Sequence, residues 1–179
     1  MIFLLAGHHA KDSGAVSGDL KENKLNRELQ QLVLKRLEQL SPQNEVYTDP
    51  FDLTLSQVIK QVKSKATADD VLLEIHFDSA VNVSATGSTA IVANNARFRS
   101  QSIAKDLVEI TSSILNIANR GVWNEKKSNR GRLGVLHTAA NSVLLEVGFI
   151  VNKSDMASHE KHKHWLADDI ARILLKYAN

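Results

Sequence analysis

His8, Glu22 and His76 are the side chains of this sequence best suited to hold a cation. An apolar run, Met1-Ile2-Phe3-Leu4-Leu5-Ala6, reads as a buried strand and breaks off at Gly7-His8-His9. A second run, Val71-Leu72-Leu73-Glu74-Ile75, breaks off the same way at His76. Two strands that finish in histidine, with a carboxylate at a helix start between them, can supply three ligands to one zinc ion. Catalytic zinc sites use three protein ligands, two histidines and a glutamate being one of the usual sets, and leave the fourth position to water. Glu146 stands out for a different reason. It interrupts the apolar strand Val143–Val147, where an ionised carboxylate is costly unless it is paired or close to a metal.

Each of these side chains also has an ordinary explanation. A histidine after a strand can be a hydrogen-bonded turn residue. Glu22 stands three positions after Asp19, the spacing of an Asp-x-x-Glu helix cap. Glu146 could be a buried, salt-bridged carboxylate. Spacing by itself does not choose between these readings.

The elements that would position them alternate between apolar runs and helical patterns. After the first strand comes a glycine-containing loop, Lys11 to Gly18, able to fold back over the strand end. Leu25, Leu29, Leu32, Leu37 and Leu40 recur near the 3.6 period, which predicts an amphipathic helix from roughly Leu20 to Leu40, stopped by Ser41-Pro42. A short strand follows at Glu45–Thr48, then a helix around Leu55 to Lys65, the strand Val71–Ile75 and a strand at Ser88–Val92. The longest helical pattern is Phe98 to Ile117, with Ile103, Leu107, Ile110, Ile114 and Ile117 on its inner face. A basic loop from Asn124 to Arg132 leads through Leu133–Leu136 to the apolar run Ser142–Ile150, and a helix near His162 to Tyr177 closes the chain. Such alternation predicts a single α/β domain spanning 1–179, with a mainly parallel twisted sheet of about six strands covered by helices on both faces. In such a sheet ligands bind just outside the carboxyl ends of the strands, where His8 and His76 both fall.

Composition narrows the remaining classes. With 179 residues, 43% hydrophobic and 23% charged, the chain has the balance of one ordinary globular domain rather than a disordered segment. A net charge of +2 is too mild to identify a nucleic-acid binder, and none is expected as a partner. Cysteine is absent, so any metal must be held by histidine and carboxylate. The first apolar run falls short of the about 7–15 residues of a secretory signal and lacks its basic flank. Nothing approaches the about 20 apolar residues of a membrane span. The expectation is synthesis in the cytoplasm without a signal peptide and no integral membrane association, with oligomeric state left open.

Gly7-His8-His9-Ala10-Lys11-Asp12-Ser13-Gly14-Ala15-Val16 resembles the Gly-His-Gly-Gly-x-Asp-x-Gly-Ala opening of the zinc-dependent N-acetylmuramoyl-L-alanine amidases, which cut peptidoglycan. Glu22-Asn23-Lys24-Leu25-Asn26 is similar to that family's segment around its metal-binding glutamate, and Ile75-His76-Phe77-Asp78-Ser79-Ala80 to its Ile-His-Ala-Asn/Asp-Ala segment. Asn119-Arg120-Gly121-Val122, Leu133-Gly134-Val135-Leu136 and Val143 to Asn152 follow its pattern in order, so the resemblance covers essentially the whole chain. It implies His8, Glu22 and His76 as ligands of a Zn2+ cofactor, Glu146 as the catalytic carboxylate, and peptidoglycan as the partner, reached in the cell wall after release. The family's activity is hydrolysis of the amide between N-acetylmuramic acid and L-alanine, and the compact single-domain form is similar to an endolysin. Departures are His9 for a glycine (a rival ligand to His8), Phe77 and Asp78 for smaller or amide residues, and His137 where arginine is frequent.

Two features are read as decoys. His159-Glu160-Lys161-His162-Lys163-His164 looks metal-rich, but a zinc-protease helix needs histidines four apart, so it is taken as a solvated basic helix start. Lys126, Lys127, Arg130 and Arg132 are taken as a solvated loop that could attract anionic groups of a cell-wall substrate. Two competing functions use the same fold: a non-catalytic peptidoglycan-binding module, and a zinc peptidase acting within the stem peptide.

Overall fold

Apolar runs long enough to be buried on both faces form the middle of a six-stranded sheet in the computed structural model, which describes residues 1–128 and 131–178. The central strands are β1 (Ile2–Ala6), buried at every position, and two that arrive later in the chain, numbered in order below. A small antiparallel hairpin, β2 (Val16–Ser17) and β3 (Leu20–Lys21), leads into helix α1 (Glu22–Leu40). Then come β4 (Val46–Thr48), α2 (Leu55–Lys65), β5 (Val71–Asp78), β6 (Ser88–Val92) and α3 (Phe98–Leu115). β7 (Asn119–Asn124), α4 (Glu125–Ser128), a 3-10 turn (Gly134–His137), β8 (Asn141–Phe149) and α5 (Lys153–Ala178) complete the order.

The sheet order is β4-β1-β5-β8-β6-β7, parallel throughout except where β6 runs antiparallel to β8. Side chains alternate across each strand. Ile2 and Leu4, Leu73, Ile75 and Phe77, and Val143, Leu145 and Val147 therefore meet α1, α3 and α5 on one face. Phe3 and Leu5, Leu72 and Leu144 meet Val58 and Val62 of α2 with Val135 and Leu136 of the 3-10 turn on the other. Burying each such side chain stabilises by roughly 1.5–3 kcal/mol. The mainly parallel, six-stranded sheet with helices on both faces is as the apolar runs predict, because a strand flanked by neighbours and covered twice has no polar face.

Four boundaries differ from the sequence reading by more than one residue. α1 begins at Glu22, because Leu20 and Lys21 pair in the hairpin. β5 continues through His76 to Asp78, so the histidine lies within the strand rather than after it. α3 ends at Leu115, where Asn116 turns left-handed at φ 50°, and its buried face runs through Ile103, Leu107, Thr111 and Leu115, leaving Ile110 and Ile114 half-buried. α5 begins at Lys153, nine residues before the expected start. Its core-facing positions there are Asp155 and His159, polar residues that hide a helical period from a hydrophobicity reading. β7 was not anticipated as a strand; it is a half-buried edge strand with a glycine, and carries no alternation.

Asp155 explains how α5 is fixed to the sheet. Its buried carboxylate accepts hydrogen bonds from Thr86 Oγ1 (2.5 Å), Gly87 N (3.1 Å) and Phe149 N (3.0 Å), joining the start of α5 to the approach to β6 and the end of β8. Asp155→Ala would leave three donors without their acceptor, each at about 1–3 kcal/mol. Urea unfolding should show a loss of about 3 kcal/mol or more; a loss below 0.5 kcal/mol, the range of ordinary surface substitutions, would contradict this role.

Candidate metal centre

The ends of β1 and β5 lie side by side, with Ala6 opposite Ile75 in the parallel register. One residue beyond β1, Gly7 lies so close to β5 that a Cβ there would fall 2.1 Å from the His76 ring. The chain then turns sharply, and His8 adopts a left-handed φ of 68°, rare for a side-chain-bearing residue and frequent at functional sites. The loop that follows folds back on the start of α1: Glu22 N donates to Ala15 O and Asn23 N to Ser13 O. The buried face of α1 opens with polar residues, not leucines. Asn26 Nδ2 donates to Gly7 O (2.9 Å), Asn23 Nδ2 to His9 O (3.1 Å) and Gln30 Nε2 to Leu4 O (2.7 Å), which ties the helix to the end of β1.

This places the Glu22 carboxylate between two imidazoles. Its Oε1 lies 2.8 Å from His76 Nδ1 and its Oε2 lies 3.1 Å from His8 Nε2. Backbone N–H groups of Ala15 (2.9 Å) and Phe77 (3.3 Å) donate to the same two oxygens. One ligand atom from each of His8, Glu22 and His76 lies within 4.8 Å of the other two. On its far side His8 Nδ1 meets Asp12 Oδ2 at 2.8 Å. Gly14, at φ +63°, closes the loop; a Cβ there would sit 2.5–2.6 Å from His8 and from Glu22 Oε2.

The cap reading of Glu22 is therefore superseded. It is the first residue of α1, the preceding Lys21 makes no side-chain cap, and the carboxylate turns to the histidines. His9 is not part of the cluster; its Nδ1 accepts from Lys11 N. Glu146 is buried on β8 directly opposite His76, so the two side chains leave the same face of adjacent strands. The His159–His164 segment gathers no ligand set among the described residues. It lies inside α5: His159 is buried with its ring against Phe77, and His162 stacks on Trp165, so it is not the solvated helix start expected. Lys126, Lys127 and Arg132 are exposed as expected, while Arg130 lies outside the described residues. His137, at the position where the resembled family often has arginine, approaches the buried Glu125 at 2.9 Å.

A cavity of about 200 Å³ opens beside the cluster, lined by His8, His76 and Glu74 and by apolar Leu5, Val58 and Leu144. Asp12 and Glu74 were in plain view in the sequence but had no role assigned; the signal for Glu74 was a carboxylate two positions before a histidine in a buried strand.

Residues 2–176 match the sequence profile described as N-acetylmuramoyl-L-alanine amidase. The chain belongs to this family. The catalytic domain of the N-acetylmuramoyl-L-alanine amidase CwlV from Bacillus (Paenibacillus) polymyxa is 28% identical, with a TM-score of 0.77 over 98% of this chain and 97% of that one. The catalytic domain of an endolysin targeting Clostridium difficile shares the fold at a TM-score of 0.78 and 21% identity, covering 99% and 98% of the two chains. An uncharacterized Bacillus subtilis protein, YqiI, is 28% identical over 178 residues, 98% of this chain and 84% of its own. No helix among the described residues is long and apolar enough to cross a membrane.

Two imidazoles and a carboxylate are a donor set zinc accepts, and the Gly14 cradle keeps their shared face open, so the residues fit the cation associated with the family. Without a cation the cluster is a set of proton-shared ion pairs. Burial works against a charged His76, but the hydrogen bond to Glu22 and the nearby Glu74 carboxylate outweigh it and raise its pKa to about 10. Burial likewise opposes ionised Glu22, yet the bonds from His76 and His8 hold it well below the usual carboxylate range. His8 is raised despite burial, through Glu22 and Asp12. Burial, with the nearby Lys163 ammonium, drives His159 the other way, down to about 4.

The signs give a testable profile for chelator-treated protein. His76, raised in the fold above its ordinary 6.5, contributes fully below pH 6.5 and loses that contribution as the pH climbs toward about 10. His159, depressed in the fold, costs stability as the pH falls from 6.5 toward about 4. The melting temperature should therefore peak near pH 6.5, and a plateau from pH 6.5 to 9 would contradict the cluster. Gly14→Ala should lower stability by more than about 1 kcal/mol, since alanine is strained at that φ; equal stability in thermal melts would contradict the cradle.

Proposed function

We propose that residues 1–179 form one catalytic domain, a zinc-dependent amidase that hydrolyses the bond between N-acetylmuramic acid and L-alanine in peptidoglycan. The observation that carries this reading is the convergence of His8, Glu22 and His76 at the ends of two adjacent strands, with Glu146 in register beside His76 on a third. His8, Glu22 and His76 would hold the zinc ion. When bound, it supplies a Lewis acid for the scissile carbonyl and for the attacking water.

The protein's own groups do the rest. Asp12 orients His8 by its bond to Nδ1, leaving Nε2 for the cluster. Glu146 takes a proton from the attacking water and returns it to the departing L-alanine nitrogen, so that the amide breaks into a lactyl carboxylate and a free amine. Burial of Glu146 on the same face as His76 suits both halves of that task, since a carboxylate shielded from solvent exchanges its proton with the reactants rather than with bulk water. The wall substrate places the site of action outside the cytoplasm, after release.

Mass spectrometry of digested muropeptides decides the bond, because an amidase frees the intact stem peptide from the glycan; fragments cut within the stem would instead indicate a peptidase. Chelation should abolish clearing in cell-wall zymograms and zinc should restore it. Glu146→Ala should lower turnover about 10²–10⁴-fold, the range of a general acid–base group, with zinc content unchanged. His76→Ala should lose zinc along with activity. Full zinc stoichiometry in His76→Ala, or near-normal turnover in Glu146→Ala, would refute the corresponding role.

A further inference from the structure

Glu74 is a buried carboxylate in a strand whose other residues from Val71 to Ile75 are fully apolar and inaccessible. It is only 4% exposed, and ionised groups in such a setting need a partner. Strand alternation puts it on the same face as His76, two residues on. Its Oε2 lies 3.5 Å from His76 Nε2, the one cation-capable group within ion-pair distance of it among the described residues. The surrounding cavity wall is apolar there, formed by Leu5, Val58 and Leu144, which strengthens a charge pair relative to water.

The two imidazoles of the cluster are thus held in mirrored fashion. His8 gives Nε2 to the shared face and Nδ1 to Asp12, while His76 gives Nδ1 to the shared face and Nε2 to Glu74. A carboxylate on the outer nitrogen of a ligating histidine fixes its tautomer and ring orientation and makes the inner nitrogen a better donor. At 3.5 Å the Glu74 contact is longer than a hydrogen bond, so it acts at this separation through charge and shape.

We propose that Glu74 is the positioning residue of His76: it holds the ring with its proton on Nε2 and Nδ1 presented to the cation. This inference rests on the reading of His8, Glu22 and His76 as a zinc site. Its consequence is that Glu74 acts on metal affinity without itself touching the cation or the substrate.

The test is zinc affinity by competition with a chromophoric chelator in wild type, Glu74→Gln and Glu74→Leu, with the melting temperature of each metal-free protein measured in parallel. Removing such an outer carboxylate costs about 10–100-fold in affinity. Glu74→Leu, which replaces a buried charge with an apolar group in an apolar wall, should show that loss while the metal-free protein still melts in one cooperative transition. Glu74→Gln keeps an oxygen acceptor and should recover part of the affinity. A readout independent of folding variants is 15N NMR of zinc-loaded wild type, where His76 should carry its proton on Nε2 with Nδ1 coordinated. Unchanged affinity in Glu74→Leu, or the opposite tautomer in wild type, overturns the inference while leaving the zinc site standing. A wild-type protein that binds no zinc overturns the site reading and this inference with it.

Discussion

A single carboxylate, Glu22, has to be held between two imidazoles at the mouth of a parallel sheet, and much of the architecture follows from that. An ionised group in this position loses most of its water, so its four hydrogen-bonding directions must be met by protein. Two are met by His8 and His76 and two by the backbone of Ala15 and Phe77. Its place in the first turn of α1 adds the favourable potential of a helix N-terminus. Meeting those directions fixes the hairpin that turns the chain toward α1, the left-handed His8, and the glycine at position 14.

The same demand explains why the α1 interface is polar where it meets β1 and apolar further along. Asn23 and Asn26 hold carbonyls just beyond the end of β1, Gln30 holds that of Leu4 within it, and Leu29, Val33 and Leu37 then take over the packing. A helix held by hydrogen bonds with fixed directions has less freedom to slide than one held by leucines, and a first turn that sets Glu22 between two imidazoles requires that registry. Asp155 does a comparable job for α5, which it locks to the approach to β6 and to the end of the strand that carries Glu146.

Three of the buried acids gather about one histidine: Glu22 and Glu74 lie within ion-pair distance of His76, and Glu146 lies in register with it. Grouping negative charge in this way disfavours the fold unless a cation shares the space, and protonated histidine meets that need less well as the pH rises. The extensive two-sided core carries the fold and offsets what this grouping of charge costs.

Much of this was legible in the amino-acid order. Continuous apolar runs identify doubly covered strands, the 3.6 period of α2 and of most of α1 identifies helices, and ordered motifs from Gly7 to Asn152 identify the family, because all three depend on residues close together in the chain. What escaped was polar residues doing core work: Asp155 and His159 inside α5, Asn26 in α1, and Glu74 beside His76. Hydrophobic pattern ranks such residues as surface, and only their partners, distant in sequence, reverse that ranking. The resemblance pointed to His8 and Glu22, but spacing did not choose between His8 and His9 or between a helix cap and a contact with two histidines; the tertiary structure supplies those contacts and the strand that neighbours His76. Those outcomes are set by strand register and by one left-handed turn, both of which balance contacts across the whole sheet that no local stretch of sequence contains.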